Sequence, residues 1–228
     1  MSDVLLPGGR DVRGTLEEPT DDPDAIVVAA PPHPQHGGSR SDGRLVAVAE
    51  ALVESGIACL RFDYGAWDES EAQRASEDAS GDEPRAGYGE RKDVRNAVRW
   101  AREEYGDADG ASVATDLPVG VFGYSFGASL ALLAAADVDP DAVAVLAPAA
   151  DLGEDLDAHA ALEDIESPVH VLYGERDATV DWEPVIERAR ERGDAVTALS
   201  GDHFFLGERD AIADEVATFF EGALLEST

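Results

Sequence analysis

Apolar, β-branched runs alternate with helical patterns along this chain, and no other feature constrains the fold as strongly. The runs are Ala25–Ala30, Ile57–Phe62, Val119–Phe122, Ala142–Leu146, Val169–Tyr173 and Ala195–Leu199. Apolar residues recur at three- and four-residue intervals over Arg44–Ser55, Arg91–Tyr105, Phe126–Ala136, Trp182–Arg192 and Arg209–Phe220. Short continuous apolar runs are typical of parallel strands buried on both faces. The sequence therefore predicts an α/β fold, an open, mostly parallel twisted sheet with helices on both faces.

One domain over residues 1–228 is predicted, since α/β folds of this size commonly form a single unit. Residues 63–90 are polar, Gly-rich and acidic, and we interpret them as a surface loop. Residues 149–167 have little continuous apolar character and leave room for a small cover at most.

The charge balance excludes some partners. Seventeen basic residues against 49 acidic ones give a net charge of −32, which repels nucleic acid and anionic lipid. Such a surface predicts a salt-rich cytoplasm, because the Debye length falls from about 10 Å at 0.1 M salt to about 3 Å at 1 M and molar salt then screens most of the repulsion between like charges. The alternative is an unusually acidic protein from a cytosol of ordinary salt content. With one cysteine and no long apolar run, the chain is expected to be cytoplasmic.

A Gly-x-Ser-x-Gly motif at Gly123–Gly127 follows one apolar run directly and precedes a helical pattern. On a sharp strand-to-helix turn, a serine is held outward from the sheet edge on a strained backbone. Ser125 is therefore the predicted nucleophile.

A serine nucleophile needs a base, and the base needs an orienting carboxylate. His203 and Asp177 each come shortly after a predicted strand. The chain order Ser125, Asp177, His203 is the order expected for a nucleophile on such a strand-to-helix turn, so we assign His203 as base and Asp177 as its acid.

Other histidines and acids are weaker candidates for these roles. His170 lies inside a strand and is expected to be packed, and His159 lies in an acidic loop and is expected to be solvated. Asp181 is expected to cap the next helix. Asp202 stays a minor contender, because adjacent side chains on extended backbone point apart.

The oxyanion of a tetrahedral intermediate needs amide donors. Phe126 N–H, at the start of a helix, is predicted to be one of them. The loop after Ala25–Ala30 is predicted to supply the other, from Gln35 or, second, from His36, because its prolines cannot donate.

No cofactor is predicted, and no metal site. His33 and His36 form a His-x-x-His pair without a third ligand at a recognisable spacing, and His33 is expected to shape the oxyanion loop instead. Cys59 lies inside a predicted core strand and is interpreted as packing.

These elements resemble the α/β-hydrolase superfamily over nearly the whole chain, in particular small, lid-poor serine hydrolases related to dienelactone hydrolase. The matching segments are His33–Ser39, Leu60–Tyr64, Gly123–Ala128, Gly174–Asp177 and Asp202–Phe205. The resemblance implies the same triad. Dienelactone hydrolase itself resembles a cysteine-nucleophile enzyme, and haloalkane dehalogenases and epoxide hydrolases use aspartate, so the serine here disfavours those reactions.

The sequence thus predicts a carboxylesterase-like serine hydrolase that acts on small or medium esters. A thioesterase or peptidase with the same triad, and a non-catalytic binding module on this fold, stay open as alternatives. Neither the acyl or alcohol specificity nor the oligomeric state can be inferred from the sequence.

Overall fold

The computed structural model describes residues 1–65, 87–106, 117–153 and 155–226. Residues 66–86 of the predicted acidic loop, together with Glu154 in the predicted short segment, lie outside these ranges. The two ends of the predicted loop differ from the expectation, because a strand continues to Asp63 and a helix begins at Tyr88.

Eight strands form one sheet among the described residues. In chain order they are β1 (Ser2–Leu6), β2 (Val12–Glu17), β3 (Ala25–Ala30), β4 (Ile57–Asp63), β5 (Val119–Tyr124), β6 (Ala142–Leu146), β7 (Val169–Gly174) and β8 (Ala195–Leu199). Their order across the sheet is β1-β2-β4-β3-β5-β6-β7-β8. Strands β3 to β8 are parallel to one another, whereas β1 and β2 are antiparallel additions at one edge.

Helices cover both faces of this sheet, which confirms the predicted fold class. They are α1 (Gly43–Glu54), α2 (Tyr88–Glu104), α3 (Phe126–Val138), α4 (Ala158–Ala161), α5 (Glu183–Arg192) and α6 (Arg209–Phe220). Buried residues of α2, α3 and α5 share one core with one face of the sheet, and those of α1 and α6 share a second core on the other face. No helix within the described residues is long and apolar enough to cross a membrane.

The central strands are apolar because both of their faces are covered. Every residue of β3, β5, β6 and β7 is buried, as expected for parallel strands between two helical layers. Strand β8 lies at the sheet edge and is partly exposed. Cys59 is fully buried in β4, and burial raises the pKa of its thiol to about 12, so its interpretation as packing is confirmed.

The topology opens a crevice next to β5. The chain passes from β3 outward to β4 and then returns to β5 on the other side of β3. Connections that leave neighbouring strands in opposite directions create a crevice at the carboxyl ends of those strands. The loop after β3 and the turn after β5 therefore meet at this edge.

The segment between β6 and β7 is short, as the sequence indicated. It contains α4 and one turn of 3₁₀-helix at Leu162–Asp164. Buried Ala158, Ala161 and Leu162 belong to the core on the α3 side of the sheet, so these two turns pack onto the domain.

Candidate active site

Ser125 occupies the turn between β5 and α3 in a conformation that non-glycine residues rarely adopt. Its φ is 56° and its ψ is −119°, and such a strained backbone persists only where its surroundings enforce it. Ser125 is the N-cap of α3, but its side chain makes no capping hydrogen bond. Its hydroxyl is directed to His203 instead.

The two glycines of the motif are required by close backbone contacts. A Cβ on Gly123 would lie 2.2 Å from the carbonyl oxygen of Gly127, and a Cβ on Gly127 would lie 2.3 Å from the carbonyl oxygen of Ala30. Any side chain at either position would therefore push α3 away from the strands.

The structure brings the three predicted triad residues together. Ser125 Oγ lies 2.8 Å from His203 Nε2, and His203 Nδ1 lies 2.7 Å from Asp177 Oδ2. An ionised carboxylate only accepts hydrogen bonds, so Nδ1 carries the proton of a neutral imidazole and Nε2 is left to accept from the serine hydroxyl. This is the arrangement that a serine nucleophile requires.

Asp177 is held by groups that the sequence analysis did not identify. Its second oxygen, Oδ1, accepts from the backbone N–H of Thr179 at 2.8 Å, and its backbone carbonyl accepts from Trp182 Nε1 at 3.0 Å. The Trp182 ring stacks on Tyr173 at 4.5 Å between ring centroids. The Asp-x-Thr pattern is a local signal for the first bond, since aspartate often binds the amide two residues on.

The rejected acids lie where they cannot orient His203. Asp202 accepts from the backbone N–H of Phe204 at 3.0 Å and is exposed. Asp181 is also exposed, but its predicted capping role is wrong: the N-cap of α5 is Trp182, and no side chain caps it. Pro184 at the start of α5 removes one amide that a cap would serve.

The two rejected histidines differ from each other. His170 is buried in β7, as predicted, and its Nε2 lies 2.9 Å from Thr197 Oγ1. Burial lowers the pKa of His170. His159 lies in the short helix α4 rather than in a loop, with about a third of its side chain exposed and its Nδ1 4.0 Å from Asp157.

The predicted second oxyanion donor is where the structure departs from the sequence analysis. Gln35 N–H donates to His33 Nδ1 at 3.2 Å, and His36 N–H donates to the His33 carbonyl at 3.0 Å. Both amides are used inside the 3₁₀ turn Pro34–His36, which His33 caps. These bonds argue against Gln35 and His36 as donors to a substrate oxygen.

Two other predicted features of this region are located. His33 packs its ring on Phe126 at 4.5 Å between centroids, which fits its expected role in shaping this loop, and burial is the main cause that lowers its pKa. Phe126 is the first residue of α3, and the leading amides of a helix have no acceptor within it. Across the described ranges, no three His, Cys, Asp or Glu side chains stand together as a possible metal site.

This fold and this constellation define the class of the protein: the chain has the α/β-hydrolase fold. Solved structures with the same fold include a lidless α/β serine hydrolase from Xanthomonas campestris, with a TM-score of 0.72, 22% identity and coverage of 98% of this chain and 94% of that one. Dienelactone hydrolase from Anabaena variabilis has a TM-score of 0.71 and 24% identity, with coverage of 98% of this chain and 97% of that one. An esterase from Pyrococcus furiosus has a TM-score of 0.72 and 18% identity, with coverage of 98% of this chain and 91% of that one.

A narrower match comes from the family models. The model of the Dienelactone hydrolase family matches residues 91–197, somewhat less than half of the chain. The matched stretch includes Ser125 and Asp177 and ends before His203. No curated protein sequence matches the chain significantly.

Proposed function

We propose that this protein is a serine hydrolase that cleaves esters of small or medium size through an acyl-enzyme on Ser125. One observation carries the proposal: an unbroken hydrogen-bonded path from Ser125 Oγ to His203, 2.8 Å, and from His203 to Asp177, 2.7 Å. The Dienelactone hydrolase match and the esterase among the structural neighbours support hydrolase chemistry.

The first half-reaction transfers the acyl group to the enzyme. Ser125 Oγ attacks the ester carbonyl carbon while His203 Nε2 accepts the hydroxyl proton. Asp177 keeps the imidazole in the correct tautomer and stabilises the imidazolium that forms. When the tetrahedral intermediate collapses, the bond to the alcohol oxygen breaks and His203 returns the proton to the departing alcohol.

The second half-reaction releases the acid. Water attacks the acyl carbon and gives a proton to His203, the bond to Ser125 Oγ breaks, and His203 protonates the serine. Negative charge develops on the carbonyl oxygen in both halves. We assign Phe126 N–H as a donor to that oxygen, because helix N-termini favour negative charge.

Two features support small or medium esters as substrates. The segment between β6 and β7 is too short to form a large lid and packs on the core. Phe204, which is 56% exposed, contacts the His203 ring edge-to-face at 5.8 Å between centroids and offers apolar surface to an ester group next to the base.

Active-site labelling tests the nucleophile directly. We expect a fluorophosphonate probe in molar KCl to label the wild type and the matched control Ser200→Ala, which changes an exposed serine, but not Ser125→Ala. Absence of label on the wild type would favour the binding module over the enzyme.

A substrate panel then separates the reaction types. We expect turnover of short-chain and medium-chain p-nitrophenyl esters, with much lower rates on matched thioesters and amides. Faster turnover of the thioester or the amide would replace the esterase assignment by thioesterase or peptidase.

A further inference from the structure

Two side chains hold the loop that carries His203 by hydrogen bonds to two consecutive backbone carbonyls of that loop. The carbonyl of His203 accepts from the hydroxyl of Tyr124 at 2.8 Å in a buried contact. The carbonyl of Phe204 accepts from Arg44 Nη1 at 2.6 Å. The next residue, Phe205, has a φ of 47°, so the loop turns sharply just beyond these bonds.

Arg44 is itself fixed before it reaches the loop. Its Nε donates to Asp42 Oδ1 at 2.8 Å, and its Nη2 donates to Asp42 Oδ2. Asp42 also accepts from the backbone N–H of Arg44 at 2.9 Å and caps α1. A guanidinium clamped at two nitrogens loses little further freedom when a third one binds a carbonyl.

Arg44 and Tyr124 also contact each other. The central carbon of the Arg44 guanidinium lies 4.5 Å from the centroid of the Tyr124 ring, within the range of a cation–π interaction. Burial is the main cause that raises the pKa of Tyr124 to about 12, so its hydroxyl stays protonated at neutral pH and donates to the His203 carbonyl.

This arrangement ties the base to the nucleophile through one strand end. Tyr124 is the last residue of β5 and directly precedes Ser125, whereas His203 follows β8 at the far edge of the sheet. Strands β5 and β8 are three strand spacings apart in the sheet. The bond from the Tyr124 hydroxyl to the His203 carbonyl therefore fixes the distance between the turn that carries Ser125 and the loop that carries His203. Catalysis is sensitive to this distance, since a displacement of about 1 Å can cost on the order of 10²-fold in rate.

We infer that Tyr124 and Arg44 are positioning residues for His203: they fix the backbone of the loop at two successive carbonyls and so hold the imidazole between Ser125 and Asp177. The kinetic part of this inference rests on the proposed function. The structural part concerns only the His203–Asp177 hydrogen bond and can be measured without a substrate.

The test uses substitutions that remove one contact each. Tyr124→Phe deletes the hydroxyl and keeps the ring under Arg44. Arg44→Gln removes the contact to Phe204, and Arg44→Lys keeps the charge but cannot bind Asp42 at two nitrogens and a carbonyl at once. The matched controls are Tyr105→Phe, whose hydroxyl donates to Glu18, and Arg40→Gln, whose side chain pairs with Asp3 and Asp63.

We expect Tyr124→Phe and Arg44→Gln each to lower kcat about tenfold to a hundredfold with little change in KM, while both controls keep the wild-type kcat. Arg44→Lys should fall between wild type and Arg44→Gln. The double variant should lose less than the product of the two single losses, because both residues act through one loop. An unchanged kcat in Tyr124→Phe and Arg44→Gln would overturn the inference.

A spectroscopic readout separates positioning from a general loss of stability. The proton that His203 Nδ1 shares with Asp177 gives a downfield ¹H NMR resonance, which Asp177→Asn identifies by removing it. We expect this resonance to broaden or shift in Tyr124→Phe and Arg44→Gln at temperatures where circular dichroism shows full folding. A wild-type resonance in both variants would overturn the inference.

The same resonance distinguishes failure of this inference from failure of the proposed function. If the wild type turns over no ester, the proposed function fails, and the NMR comparison still decides whether Tyr124 and Arg44 position His203. If the wild type turns over esters and neither variant differs from it, the function stands and the positioning role fails.

Discussion

Asp177 and Asp93 are both buried carboxylates, but they differ in what faces them. Asp177 accepts at both oxygens, from His203 Nδ1 and from Thr179 N–H. Asp93 accepts at Oδ2 from Arg10 Nε and from Gly65 N–H, and its Oδ1 has no hydrogen-bond partner in the described part of the chain. Burial is the main cause that raises the pKa of Asp93 to about 6.

The difference shows that burial alone does not identify the candidate catalytic acid. Arg10, with Glu90 and Asp93, forms a group of ion pairs that we call the Arg10 cluster. A guanidinium stays charged at every relevant pH, so the cluster joins the chain near Arg10 to the first turns of α2. An imidazole gains and loses a proton during the proposed reaction, so Asp177 can act on chemistry through His203.

The largest expected effect is on kcat, which should depend strongly on Asp177 and little on Asp93. Asp177→Asn should lower kcat by roughly 10⁴-fold, as for the same change in a known triad, because an amide favours the wrong imidazole tautomer. Steady-state kinetics on a p-nitrophenyl ester measures it, with Asp181→Asn as the matched control near the same loop. A near wild-type Asp177→Asn beside an impaired Asp181→Asn would contradict the assignment of the acid.

The exposed charges should make stability depend on salt, whereas the buried pairs of Asp177 and Asp93 should be affected much less. We propose that the net charge of −32 is an adaptation to a salt-rich cytoplasm, since screening reduces repulsion between exposed charges and affects buried pairs much less. The free energy of unfolding should rise steadily from 50 mM to molar KCl, measured by circular dichroism on urea titration. Full stability at 50 mM KCl would contradict the proposal.

Stability against pH should distinguish Asp93 from other acids. Its pKa in the folded protein, about 6, lies above its ordinary value of 3.8. Its protonated form therefore stabilises the fold below about pH 3.8, and this contribution is lost as the pH rises through 6. At about 1.4 kcal/mol per pH unit, the loss approaches about 3 kcal/mol.

Asp93→Asn does not titrate, so its stability relative to the wild type should improve by up to about 3 kcal/mol between pH 4 and pH 7. Urea unfolding at constant molar KCl measures this difference, and the exposed Asp214→Asn is the matched control. A difference that does not change with pH would refute the expectation. The kcat of Asp93→Asn should stay within an order of magnitude of the wild type.

The smallest expected effect is on KM, through the contact that Phe204 offers to a substrate beside His203. Phe204→Ala removes an exposed ring and keeps the carbonyl that Arg44 binds. Without this ring, part of the ester's apolar surface stays in water, which weakens the free energy of binding by about 1 kcal/mol and raises KM roughly fivefold. Kinetics on an acyl chain-length series measures it, with Leu206→Ala as the exposed apolar control; an equal rise in both variants would remove the specific role of Phe204.

The sequence by itself determined the parallel core and the identity of the triad candidates. Buried parallel strands need continuous apolar runs, so β3 and β6 have the bounds that the pattern predicted. The tight turn at Ser125 needs glycine at 123 because of the Gly127 carbonyl in the same strand–turn–helix unit, and glycine at 127 because of the Ala30 carbonyl of the neighbouring strand β3. The apolar runs and the Gly-x-Ser-x-Gly spacing can both be read from short stretches of the sequence, even though one of the glycines is required by a neighbouring strand.

The antiparallel edge left a weaker signal and was missed. Most residues of β1 are at least partly exposed, and β2 contains the exposed Arg13 followed by Gly14. An edge pair with one partly exposed face needs few apolar residues, so neither strand forms a run that the sequence analysis could detect.

Only the tertiary structure decided how the loops around the triad are held. Arg44 and Phe204 are 160 residues apart in the chain; away from the triad, the bonded pair Arg10 and Asp93 is 83 residues apart. The Gln35 amide was predicted to face the substrate, but the His33 side chain takes it within the turn. Such hydrogen bonds depend on where loops from different strands meet, and a sequence pattern carries no record of that distance.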